Sequence, residues 1–121
     1  MKDVVKVFKA LSDETRLRIL NVLLERECCV CEVMQALDIS QTRASRHLSL
    51  LHTAGLLKLR KDGLWSLYSI NGEGVKGYYP DLIKAIRSAV NGSEMAMLDR
   101  KRLEQADRVG PACVKCLKNE V

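Results

Sequence analysis

Five cysteines fall in two clusters, Cys28, Cys29 and Cys31, then Cys113 and Cys116. In a cytosolic chain, clustered thiols point to metal or redox chemistry rather than to a disulfide framework. The chain opens MKDVVKVFKALSDE, charged throughout and with no apolar signal stretch, so a cytoplasmic setting is expected. No run approaches the ~20 apolar residues of a membrane span, and no membrane partner is expected. Cys28 and Cys31 are three apart, a spacing that puts both on one helical face. With Cys113 and Cys116 they make two Cys-x-x-Cys pairs, and four thiolates could hold a tetrahedral Zn(II). Sulfur-rich sites also take Cd(II) and Pb(II). Thiols at a helix start have a lowered pKa, which suits metal capture and equally suits sensing of oxidants or reactive sulfur through a disulfide. A Cys-x-x-Cys oxidoreductase needs a βαβ setting. Residues 1–55 read as helices throughout, with no Gly-rich phosphate loop and no Ser/His/Asp arrangement, so an enzyme is not expected.

The second chemically informative pattern is charge. The 121 residues carry 20 Lys and Arg against 15 Asp and Glu, a net charge of +5. From Ile39 to Lys61 there are five basic residues (Arg43, Arg46, Lys58, Arg60 and Lys61) and no acid. The rest of the chain balances, so the whole excess lies in that stretch. One basic block on a neutral scaffold suggests a polyanion, with nucleic acid first.

The elements that must position these groups can be read from periodicity. Val4, Phe8 and Leu11 make a short amphipathic helix. Ser12 or Asp13 caps a second helix over about 14–25, with Leu17, Leu20 and Leu24 on one face. Val30, Val33, Met34 and Leu37 mark a helix within Cys28–Leu37, and Asp38 and Ile39 a brief turn. Ser40 caps a helix running to about Ala54, with Ala44, Leu48 and Leu51 inward and Gly55 as its stop. The period then changes: Leu57 and Leu59, then Leu64, Ser66, Tyr68 and Ile70, flank Lys61-Asp62-Gly63, which signals a hairpin. A helix over about 80–90 follows, with Leu82, Ile86, Ala89 and Val90 on one stripe, and a charged helix capped by Ser93 runs over about 94–109. The expected division is 1–92, a DNA-binding and dimerisation domain, and 93–121, a C-terminal helix with a cysteine-containing tail.

The fold class is therefore mainly α with a small β-hairpin, a winged helix-turn-helix. The second helix of the pair would lie in the major groove, with Gln41, Thr42, Arg43, Ser45 and Arg46 at base edges. Backbone N–H groups next to Ser40 could hold a phosphate at the helix N-terminus, and His47 could reach another. Arg60 and Lys61 would carry the wing over the backbone, setting affinity more than sequence choice.

These residues resemble the ArsR/SmtB family of metalloregulatory repressors. The motifs are ALSDETRLRIL at 10–20, ECCVCEV at 27–33, ISQTRASRHLSLLHTAGLL at 39–57 and RKDGLWSLYSI at 60–70. The resemblance implies a homodimeric repressor on double-stranded operator DNA, an inverted repeat, that leaves it when a toxic metal or metalloid binds. Val4 and Phe8 with Leu82, Ile86, Ala89 and Val90 are the candidate dimer interface; the same stripes could instead close the monomer core. Cys29-Val30-Cys31-Glu32 matches the inducer motif of the arsenic-responsive branch, which implies As(III) or Sb(III) as inducer, with Cd(II), Pb(II) or Zn(II) as alternatives. That branch often has a third cysteine where this chain has Met34. The expected site is Cys29, Cys31 and one other thiolate, from Cys28, Cys113 or Cys116. The Zn sites that some members build from histidines and acids on a C-terminal helix are not matched, because the only histidines are His47 and His52. On a regular helix Cys29 and Cys31 point to nearly opposite sides, so one atom bound to both would have to unwind the first turn.

Overall fold

Short polar residues set the helix starts. Asp13 accepts the Arg16 N–H at 3.0 Å, Ser40 the Arg43 N–H at 3.2 Å and Ser93 the Ala96 N–H at 3.1 Å. Each satisfies one of the donors that a helix leaves open at its first turn. The computed structural model describes residues 1–72 and 77–108. Within them the order is α1 (Lys2–Leu11), α2 (Glu14–Glu25), α3 (Val30–Leu37), α4 (Gln41–Thr53), β1 (Leu57–Asp62), β2 (Trp65–Ile70), α5 (Tyr79–Val90) and α6 (Glu94–Glu104).

Helix α2 is the hub and packs against α1, α3, α4, α5, α6 and β2. Its Ile19, Leu20 and Val22 are fully buried, and they meet Val33, Ala36 and Leu37 of α3 and Ala44, Leu48 and Leu51 of α4 in one aliphatic core. Burying each of these side chains contributes about 1.5–3 kcal/mol before entropy is counted. Asp38 ends α3 at φ +56, a left-handed turn that Asp tolerates, and two residues later the chain starts α4. Gly55 ends α4 at φ +90, and a Cβ there would lie 2.8 Å from the Tyr79 hydroxyl, so both backbone and space require glycine.

The hairpin pairs Leu57 with Ile70 through Asp62 with Trp65, leaving Gly63 and Leu64 as a two-residue loop. Gly63 takes φ +64 as the first loop residue, the arrangement of a II′ turn. Its phase differs from the expected one. Leu67, on the alternate face from Tyr68, is buried, while Leu59 and Leu64 are exposed. The face is decided by packing on α2 and α4, which periodicity in so short a run does not reveal. Two other expectations are corrected. Cys28 is not helical but forms an antiparallel bridge with Tyr68, and α3 starts only at Val30. Helix α6 stops at Glu104 rather than near 109, because residues 105–108 leave the helix and bond to α3 instead.

Candidate nucleic-acid interface and cysteine site

Helix α4 turns its apolar stripe into the core and leaves Thr42, Arg43 and Arg46 exposed, with Gln41 and Ser45 half-buried. Arg43 Nη2 donates to Thr15 Oγ1 at 3.3 Å, so the start of α2 steadies that side chain. Ser40 is exposed, its hydroxyl oxygen engaged in capping. His47 is placed elsewhere than expected. It is buried at 7% exposure, facing the α1–α2 corner rather than outward. Its Nδ1 lies 3.2 Å from Arg16 Nη1, and Arg16 Nε donates to the Ala10 carbonyl at 2.6 Å. A guanidinium only donates, so Nδ1 is the acceptor and the ring is neutral in this contact. Burial, with Arg16, Arg46 and Arg43 nearby, holds the His47 pKa below its ordinary value against the pull of Asp13. His47 therefore joins the reading helix to α1 and α2 and does not present itself to a phosphate. On the wing Lys61 donates to Ser66 Oγ at 2.7 Å, and Arg60 forms a two-point ion pair with Glu27.

The cysteine segment lies at the other end of the helix pair. Cys28 exchanges two backbone hydrogen bonds with Tyr68, 3.0 and 2.8 Å, and its side chain is fully buried. Burial, with Glu32 adding to it, pushes its thiol pKa up to about 12. A thiol so raised stays protonated at neutral pH. Cys29 is the N-cap of α3: its sulfur accepts the Glu32 N–H, and Glu32 Oε1 accepts the Cys29 N–H at 3.0 Å. This is a capping box with sulfur in the usual hydroxyl position. Cys29 has extended backbone, φ −83 and ψ 170, so the unwinding expected of a two-residue helical spacing gives way to a different geometry. The pair straddles the helix boundary. Cys28 and Cys29 are free thiols, and Cys31 is disulfide-bonded. Gln35 Nε2 lies 3.2 Å from Cys31 Sγ.

Sequence reasoning did not single out the polar frame around these thiols. The Glu32 carboxylate is 3% exposed and is held by Arg26 and by Arg108 Nε at 3.0 Å. Burial opposes its ionisation, but the Cys29 N–H, Arg26 and Arg108 outweigh that and keep its pKa below the ordinary carboxylate range. Gln35 makes a two-way contact with Asp107, 2.9 and 3.1 Å, and the Arg108 guanidinium lies 6.0 Å from the Trp65 ring centre. The one available signal was Cys29-x-x-Glu32, the spacing of a capping box. The long-range partners leave no local pattern. Among the described residues no group of three or more His, Cys, Asp or Glu is placed to hold a metal ion. Cys113 and Cys116 lie outside the described residues, so a three-thiolate site is not complete within them.

The proposed contact stripes divide. Ile86 is buried, Val4, Leu82 and Val90 are half-buried, and Phe8 and Ala89 are exposed. Val5, Met95, Met97 and Leu98 are further exposed apolar side chains that the periodicity did not pick out.

A helix pair joined by a tight turn, with a hairpin after its second member, defines a winged helix-turn-helix regulator. Residues 13–64 match the model of the bacterial regulatory protein arsR family. An arsenic resistance transcriptional regulator of Pseudomonas putida is 37% identical over 111 residues, 91% of this chain and 84% of that one. The chain belongs to the arsR family. The relatives it matches are transcriptional regulators, and the matched regions span only 62% of the Staphylococcus aureus cadmium regulator's length and 58% of that of an Escherichia coli arsenical resistance operon repressor. A cadmium resistance transcriptional regulatory protein CadC homolog of Staphylococcus aureus is 52% identical over 75 residues, 61% of this chain and 62% of that protein's length. Among solved structures, a homodimeric winged helix-turn-helix domain from Mycobacterium bovis, a possible ArsR-family transcriptional regulator, superposes with a TM-score of 0.64. Its identity is 30%, over 74% of this chain and 80% of that one.

Proposed function

We propose that this protein is a homodimeric repressor that releases operator DNA when trivalent arsenic or antimony is bound by Cys29, Cys31 and a third thiolate from Cys113 or Cys116. One observation carries the reading. The last described residues dock beside the cysteines, Asp107 on Gln35 and Arg108 on Glu32. Cys113 lies five positions beyond Arg108, and an extended chain spans ~3.3–3.6 Å per residue, so a tail thiol has the reach. Arsenic and cadmium regulators among the relatives support a thiophilic inducer. No described helix is long and apolar enough to cross a membrane.

Bound at the thiolates, the inducer would supply the covalent tie between the cap and the first turn of α3. What the chain does follows from its bonds. Drawing Cys29 toward Cys31 takes its sulfur from the Glu32 N–H and breaks the reciprocal bond from Glu32. Such a cap is worth about 0.5–2 kcal/mol, the same scale as the ~1–3 kcal/mol by which effectors commonly change a second affinity. Helix α3 is joined to α4 by only Asp38–Ser40, so a shift of α3 moves Arg43 and Arg46. Base reading is assigned to Gln41, Thr42, Arg43, Ser45 and Arg46, and backbone contacts to Lys61 and Arg60. Phe8 and Ala89, with the exposed Val5, face a second copy.

A second reading is favoured by the disulfide at Cys31. Cys31 and a partner cysteine would give up two protons and two electrons to a peroxide, which leaves as two waters, and the new bond would tie the first turn of α3 while Cys29 keeps its cap. Reduced protein is titrated on DNA from upstream of its own gene with arsenite, antimonite, Cd(II), Pb(II) and peroxide. Arsenite should release the duplex, and Cys29→Ser and Cys31→Ser should bind DNA but not respond. Full response in either variant overturns the site. Release by peroxide alone, reversed by a dithiol, selects the second reading.

A further inference from the structure

We infer that Glu27 is a positioning residue for DNA binding: it fixes the guanidinium of Arg60 on the wing and so ties the wing to the cysteine segment. Arg60 Nε donates to Glu27 Oε2 at 3.0 Å and Nη2 donates to Oε1, a side-on fork that sets the plane of the guanidinium. Of its five donors the fork uses two, and the remaining edge stays available to a phosphate oxygen. One residue further on, Cys28 is bridged to Tyr68 through both backbone groups, so the chain next to Glu27 is pinned to the edge of the hairpin. The bridge holds the backbone of that edge and the ion pair holds a side chain. Register adds to this, since Leu59 faces Tyr68 and Arg60 is the next residue of β1.

The pair is solvent-exposed, so it adds little to stability. Its effect is one of orientation. An arginine on a free hairpin samples many rotamers, and ordering a long side chain on binding costs conformational entropy. Glu27 supplies that order before DNA arrives. The consequence for release rests on the reading above, because Cys29 follows directly on this edge; the positioning does not depend on any inducer.

A sign separates positioning from plain charge. Glu27 is an acid beside a polyanion site, so if it acted by charge alone its removal would tighten binding. Positioning requires the opposite. Affinity for a mixed-sequence duplex at low salt is measured by anisotropy for the wild type, Glu27→Gln, Arg60→Gln and the double variant, all without inducer. Glu27→Gln is expected to weaken binding about two- to fivefold. Arg60→Gln should weaken it more and lower the salt slope by about one. The double variant should match Arg60→Gln alone, and melting points should be unchanged. Binding by Glu27→Gln equal to or tighter than wild type, or additive losses in the double variant, overturns the inference. A wild type that binds DNA but ignores arsenite would overturn the proposed inducer and leave this result standing.

Discussion

The outward face of α4 and the N-terminal end of α3 are built in opposite ways, although only a short turn separates the helices. On α4 Arg46 is exposed, and Arg43 reaches beyond its helix to Thr15 at 3.3 Å. On α3 nearly every polar group is engaged over long range. Arg26 and Arg108 hold Glu32, Gln35 holds Asp107, Arg102 Nε donates to the Ala36 carbonyl at 2.8 Å, and Arg18 Nη2 donates to the Leu37 carbonyl at 3.1 Å. Arg18 and Arg102 converge on Asp99 of α6, whose side chain is fully buried. On the proposed DNA face Arg43 and Arg46 are solvent-exposed, where their guanidinium groups could meet phosphates or base edges. If α3 shifts as the proposed release requires, being tied at many points would turn a small local change into a discrete movement.

This contrast can be broken from the committed side first. Asp99→Ala leaves Arg18 and Arg102 facing a vacated buried site, and breaking such a pair costs about 3–5 kcal/mol. Urea unfolding should show that loss, and with α6 slackened DNA binding should fall too. Unchanged stability would mean that the α3–α6 ties are incidental. On the uncommitted side, Arg46→Ala should cost about 1–3 kcal/mol of affinity for the preferred duplex with no change in urea midpoint. A matching loss of stability would place Arg46 in the fold rather than in the interface. Gln35→Ala removes both contacts to Asp107 and should cost about 1 kcal/mol of stability, while blunting the arsenite response if the tail is delivered by that contact.

The smallest effect sharpens the junction between the two regions. His47 has a depressed pKa in the fold, so its neutral form is favoured there relative to the unfolded chain. The stability it contributes is complete above the unfolded value of about 6.5 and is lost as pH falls below it. Asp13, Glu27 and Glu32 have pKa values lowered in the fold, and they affect stability only at more acidic pH. Melting points between pH 7 and about pH 5.5 should therefore decline in the wild type and stay flatter in His47→Gln. Equal slopes would remove His47 as the group responsible.

Much was legible without coordinates because it is local. The caps at Asp13, Ser40 and Ser93, the stop at Gly55, the glycine turn and the inward stripe Ala44, Leu48 and Leu51 depend on neighbours within a few positions. So do the acid-free basic window and the clustered cysteines. The hairpin face, the early end of α6 and the inward turn of His47 were not legible, since each is settled by a partner far away in the chain.

By itself the sequence determined the order of elements, the apolar stripe that α4 turns into the core and which thiols stand together, because periodicity and spacing act over one or two helical turns. Tertiary structure alone decided that Cys28 bridges to Tyr68, that Arg26 and Arg108 hold Glu32 and that Glu27 reaches Arg60. The physical reason is that buried polar groups must be paired, and the partners that satisfy them are found across the fold, at separations on which composition and period are silent.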